Sequence, residues 1–263
     1  MIKLFRRIRQ NLLSQGKTGK YFKYAIGEIL LVVIGILIAL QINNWNEQNK
    51  NNQIEETYLI RLNQDLGGDI MSWGKLIEDE EKRFKGIKEF IKFGLNKNID
   101  SVLNVFPHFN IIVRWDDLTI NQVTFDEMKN SGKLDIISND SIKISLLELD
   151  QLYQKIIERN ATRKLSHDKH ISDPIFDILN TLNFIVLDNK LSELHPKTYT
   201  REELESHLEL IRNDLFNLFH NQEFMNSLVT SIYNYELVSG ELQEAHSKAK
   251  KLKVLIEDEL DEK

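Results

Sequence analysis

The stretch Tyr24–Trp45, YAIGEILLVVIGILIALQINNW, decides how the rest of the chain is read. It is an almost unbroken apolar run whose one ionisable residue is Glu28. As a helix rising about 1.5 Å per residue it is about 31 Å long, close to the roughly 30 Å of a bilayer's hydrocarbon core. Tyr21 and Tyr24 at one end and Trp45 at the other supply amphipathic rings suited to the headgroup level, so they are the expected interfacial anchors. The sequence therefore predicts one transmembrane helix over 24–45, with a basic flank at 1–23 before it and a body at 46–263 after it.

Charge sets the expected orientation. Lys3, Arg6, Arg7, Arg9, Lys17, Lys20 and Lys23 give +7 before the span with no acid among them, so the net charge of −6 hides −13 in the remainder. Basic residues next to a span stay in the cytoplasm, which places the N-terminus inside and the body in the periplasm or outside. An acidic body also lacks the cationic surface that nucleic-acid binding requires. A signal peptide shares the basic-then-apolar plan, but no small-x-small cleavage site follows the run and amphipathic sequence resumes at once. Arg6-Arg7 lies too far from the run for a twin-arginine signal. Ile2, Phe5, Ile8 and Leu12 give Met1–Leu13 one apolar face, the pattern of a short helix on an anionic leaflet, with an unstructured positive flank as the alternative.

The body lacks the usual marks of chemistry. With no cysteine there are no disulfides, thiolate metal sites or cysteine nucleophiles. Gly16-Lys17-Thr18 ends like a phosphate loop, but Asn11 stands where the first glycine belongs. Neither G-x-S-x-G nor H-E-x-x-H occurs. SHDKHISDP gathers His167, Asp168, His170 and Asp173, yet no other His-rich tract would complete a metal's ligand set, so a solvated turn or supporting polar contacts are expected there. No catalytic, cofactor or metal residue is assigned, and the chain is not expected to be an enzyme.

Helical periodicity runs through most of the body. Ile54, Tyr58, Leu62 and Leu66 recur at steps of four and lead to Gly67-Gly68, which are expected to end a helix. A second helix is expected from Asp69 to about Gly94, folding back on the first as an antiparallel hairpin. A loop with one short helix should follow from Asn96 to Thr119. Thr124 with Glu127 has the form of a capping box, Asn139-Asp140 should cap a long helix to about Lys164, and another helix is expected over Phe176–Leu187. Thr200 with Glu203 forms a second capping box, ahead of helices carrying Leu204–Leu218 and Phe224–Ile256. The expected fold is all-α: one N-terminal transmembrane helix followed by an antiparallel helical-bundle extracytoplasmic domain.

Two blocks, GKTGKYFKYAIGEILLVVIGILIALQINNWNE at 16–47 and TFDEMKNSGKLDIISND at 124–140, resemble the domain-of-unknown-function 6090 family of bacterial membrane proteins. The resemblance implies a single-pass membrane protein and supplies no activity or site residue. The expected role is an interaction or sensory module of the bacterial envelope that binds an unidentified envelope protein or small ligand. The alternatives are a subunit of an ion-driven complex using Glu28, since ionisable residues in spans are functional candidates, and an envelope hydrolase. Within the span, Glu28, Val32, Gly35, Ala39 and Ile42 share one stripe. Gly35 and Ala39 form a small-x-x-x-small pair, so Glu28, Gly35 and Ala39 are the expected contact for a second copy of the helix.

Overall fold

The computed structural model describes residues 18–95, 108–109, 111–180, 183 and 200–263. Met1–Leu13, Gly16 and the part of the expected Phe176–Leu187 helix beyond 180 fall outside them, apart from 183. The elements are α1 (Thr18–Leu95), α2 (Val123–Asn130), a 3-10 turn (Lys133–Ile136), α3 (Asp140–His167), one π-helical turn (Asp168–Ser172), α4 (Asp173–Ile178), α5 (Arg201–His220) and α6 (Gln222–Asp261). A short helical stretch also occurs at 111–113. No strand occurs among the described residues, so the fold is all-α.

The chain divides into two compact units, Met1–Tyr58 and Leu59–Lys263. In the first, the large apolar side chains from Ile26 to Ile42 are 44–63% exposed. Leaving such side chains in water forfeits roughly 1.5–3 kcal/mol each. A helix apolar on every side is stable either inside a large core or in a membrane. This is the one described helix long and apolar enough to cross a bilayer.

The second unit is a bundle of the C-terminal part of α1 with α3 and α6. Its register follows from cross-helix pairs. Asn139, Glu148 and Arg159 at the start and along α3 meet Glu259, Lys248 and Glu241 of α6, so these two helices run antiparallel. Trp73 meets Tyr153, and Glu80 meets Arg163, so α1 and α3 run parallel. Phe84 and Phe90 meet Tyr235 and Phe224, so α6 is antiparallel to α1 as well. The buried residues keep coiled-coil spacing: Ile142, Leu146, Leu149, Tyr153 and Ile156 on α3, and Val238, Leu242, Ala245, Ala249, Leu252 and Ile256 on α6. Ala245 and Ala249 are small enough to let the neighbouring helices approach α6. A second cluster, with Ile87, Phe90, Ile112, Ile175, Ile211, Leu215, Leu218 and Phe224, seats α4 and α5 at the far end.

Three local expectations change. Gly67-Gly68 do not end a helix, and there is no hairpin over 50–95: α1 passes straight through them. Glycine ends a helix by adopting positive φ, and Gly132 is the one described glycine that does. The stripe Leu59, Leu62, Leu66, Asp69 and Trp73 stays buried across the pair, so packing holds the helical path. Thr124 and Glu127 form no capping box. Gln122 is the N-cap, Thr124 is inside α2, and the cap is supplied from α1, where Asp65 Oδ2 accepts the Thr124 N–H at 3.1 Å. SHDKHISDP is not a solvated turn: α3 continues through the π-turn into α4. Pro174 cannot donate to the carbonyl four residues back, and the wider turn just before it accommodates the missing bond. By contrast, Asn139 caps α3 and the Thr200–Glu203 capping box forms.

Gly94 has a different role from helix ending. A Cβ added there would overlap the ring of Phe219, which packs against Phe90 at 4.9 Å. The close approach of α5 to α1 therefore depends on a missing side chain. Gly94→Ala is expected to lower stability by about 1–3 kcal/mol through overpacking, although alanine is the better helix former. The check is the urea midpoint of the detergent-solubilised protein; an unchanged or raised midpoint would mean that the ring moves aside freely.

Candidate functional site

In the unit Leu59–Lys263, α1, α3 with its π-turn, and α6 line a half-open cavity of about 660 Å³. That lies in the range of small-molecule sites, roughly 300–1,000 Å³. One wall is built on a buried ion cluster. Glu80 accepts from Arg83 Nη1 at 2.7 Å and from Arg163 Nη2 at 3.0 Å. Both guanidiniums lie against the Trp115 ring, 5.0 and 5.2 Å from its centre, where cation–π attraction adds to the pairing. Arg83 also donates to the Arg114 carbonyl at 2.7 Å and lies 3.6 Å from Asp116. Burial, with the nearby Arg163 charge, lowers the Arg83 pKa from its usual value, but an arginine so placed remains a cation. Arg83 Nε and Trp115 Nε1 are buried donors with no acceptor among the described residues.

The π-turn supplies the next wall. His167 Nε2 is 2.8 Å from the Ile112 carbonyl. A carbonyl only accepts, so Nε2 carries the proton, and Nδ1 faces the Ser172 hydroxyl at 3.3 Å and Asp168 Oδ1 at 3.4 Å. His167 thus ties the connecting segment to the end of α3. His170 Nδ1 lies 2.7 Å from Glu223 and joins the π-turn to the first turn of α6. Among the described residues no three potential His, Cys, Asp or Glu ligands converge as a metal site would require.

The third wall is a polar face of α6. Asn226, Thr230 and Asn234 recur at steps of four, flanked by Ser227, Ser231 and Tyr235. The arrangement as a whole is a polar pocket with aromatic surface from Trp115, Phe84 and Tyr235, suited to holding a small molecule.

A second buried polar cluster lies nearer the start of the unit. Asp69 accepts from the Asn121 N–H at 2.8 Å and the Tyr153 hydroxyl at 3.0 Å. Trp73 packs tilted against Tyr153 with ring centres 4.7 Å apart and donates to the Thr119 carbonyl. Burial pushes the Asp69 pKa up to about 6, against the two hydrogen bonds that favour its ionised form. The Tyr153 pKa is also raised, by burial and then by the Asp69 charge, so its hydroxyl remains a donor. With Asp65 capping α2, this cluster fixes the segment leading into TFDEMKNSGKLDIISND against α1.

The family comparison bears on both clusters. Residues 28–196 match the family described as "Family of unknown function (DUF6090)". The chain belongs to the DUF6090 family. That match spans the apolar stretch from Glu28, the Asp69 cluster and two cavity walls, whereas the α6 wall of this DUF6090 chain lies beyond it. No curated protein matches the chain, and no solved structure does.

Of the residues singled out from sequence, His167 and His170 line the cavity, and those of the span lie elsewhere. Glu28, Gly35 and Ala39 are on α1 in the unit Met1–Tyr58, and a Cβ at Gly35 would meet nothing within 4 Å. Trp45 is 65% exposed. Tyr21 and Tyr24 are helical in backbone, with side chains outside the described set. The cavity residues Glu80, Arg83, Trp115 and Arg163 were not legible as a group, because they come from three separate segments. The α6 row did carry a signal: polar residues at steps of four beside the apolar stripe Phe224, Leu228 and Ile232.

Proposed function

We propose that this protein is a membrane-anchored binding module of the bacterial envelope, in which the start of α1 crosses the inner membrane and the body binds a small polar ligand in its cavity. The observation that carries this is the cavity of about 660 Å³ walled by Arg163, Trp115 and the polar face of α6. The exposure of every large apolar side chain from Ile26 to Ile42 supports the anchor. The +7 flank supports a cytoplasmic N-terminus and a periplasmic body. Alkaline phosphatase fused to the C-terminus would be active in that orientation and inactive in the reverse one. For the cavity, the test is a thermal-shift screen of a broad metabolite panel against the detergent-solubilised protein and Thr230→Trp, which fills the pocket. At least one compound should stabilise the parent and not the variant; if none does, the cavity has no ligand role.

The span would also pair with a second copy through Gly35 and Ala39, with Glu28 shielded in the same contact. Gly35→Ile should then weaken self-association of the span in a membrane two-hybrid assay, while Ile36→Leu leaves it unchanged. Equal association of both variants with the parent would make the helix a plain anchor.

A further inference from the structure

The cavity's walls differ in hydrogen-bonding character, and that difference selects a ligand class. On the α1 and α3 side the surplus is of donors and positive charge. One carboxylate, Glu80, is shared by two guanidiniums, Arg83 and Arg163. Asp116 does not offset the second charge, because Arg114 lies 2.6 Å from it. This wall therefore carries one net positive charge. Arg163 spends Nη2 on Glu80 and has further N–H groups of its planar fork for a ligand. Glu223, the other carboxylate at the cavity, faces His170 at 2.7 Å.

The α6 wall is the complement. Ser227, Thr230 and Ser231 each donate their hydroxyl proton to the backbone carbonyl four residues earlier, at 2.8–2.9 Å. Their oxygens are thereby left as acceptors toward the cavity, and Asn226 and Asn234 add carboxamides that donate and accept. A purely apolar acid would leave this row unmatched, and a neutral polyol would leave the arginine wall unmatched. The row Asn226, Thr230 and Asn234 is open to solvent, whereas Glu80 and Arg83 are buried and Arg163 mostly so, so the sharper discrimination falls to the arginine wall, where an unmatched polar group is costly.

The geometry points to a small hydroxylated organic anion as the ligand, with one carboxylate held by Arg163 and hydroxyl groups held by the row Asn226, Thr230 and Asn234. This rests on the cavity being a ligand site, as proposed above. The volume admits a molecule of disaccharide size, with a flat face toward Trp115.

The test is isothermal titration of the full-length protein in detergent with three probes: lactobionate, lactose, which has similar size and hydroxyl content but no charge, and octanoate, which has the charge but no hydroxyls. Lactobionate is expected to bind at least ten-fold more tightly than either. Arg163→Gln should weaken lactobionate by ten- to a hundred-fold and leave lactose unchanged. Because that substitution also touches Glu80, Asn234→Leu at the opposite wall serves as the second variant; it should weaken lactobionate about ten-fold and leave octanoate unaffected. Lactose binding as well as lactobionate, octanoate binding best, or none of the three binding would each overturn the assignment of a hydroxylated anion. In the first two cases the cavity remains a ligand site of another class, and only failure of the broad panel as well would remove it.

Discussion

Glu80→Ala is expected to cost about 3–5 kcal/mol of stability, the usual penalty for breaking a buried ion pair by removing one partner. The carboxylate is 7% exposed and so is the Arg83 side chain it holds, with Arg163 at 18% on its other side. Without Glu80, two guanidiniums beside Trp115 lose the carboxylate they share, and one of them is buried. The Arg114 carbonyl and Asp116 remain near Arg83, at 2.7 and 3.6 Å, and neither restores the partner lost by Arg163. For a body of this size each kcal/mol moves the melting temperature by roughly 2–4 °C. A fall of about 10 °C in the circular dichroism melt is therefore expected. Glu80→Gln, which keeps an acceptor oxygen and the shape, should fall by less. A melt within 2 °C of the parent for Glu80→Ala would show that the cluster is held by its backbone contacts and not by charge pairing.

Asp69→Asn should change the pH dependence of stability more than stability at any single pH. The folded Asp69 has its pKa raised from 3.8 to about 6, so the folded state holds the proton more tightly than the unfolded chain does. The stabilising contribution of that proton is fully present below about pH 3.8 and is lost as pH rises through about 6. Each pKa unit corresponds to about 1.36 kcal/mol, so the whole change is up to about 3 kcal/mol. Asparagine has no such titration. Its Oδ1 can still accept from the Asn121 N–H, and its amide can donate to the Tyr153 oxygen. Asp65, the nearest other carboxylate, is common to both proteins, so the gap between them isolates Asp69. Between pH 3.5 and pH 7.5 the melting temperature of Asp69→Asn should rise relative to the parent by about 6–10 °C. A gap independent of pH would mean that Asp69 is not buried as a titrating group.

The apolar run at 24–45, the charge asymmetry, the all-α class and the caps at Asn139 and Thr200 were determined by sequence alone. Each depends on residues within a few positions of one another, where helix periodicity and capping act directly. The path of α1 through Gly67-Gly68, the loss of the Thr124–Glu127 box to Asp65, the helical continuation through SHDKHISDP and the need for a bare Gly94 beside Phe219 were decided by tertiary structure. So was the cavity, whose charged wall joins Glu80 and Arg83 to Arg163, about eighty residues further along the chain. Local propensities differ by about 1 kcal/mol or less per residue. A buried stripe or a distant carboxylate contributes as much or more, so where the two disagree the long-range contact prevails.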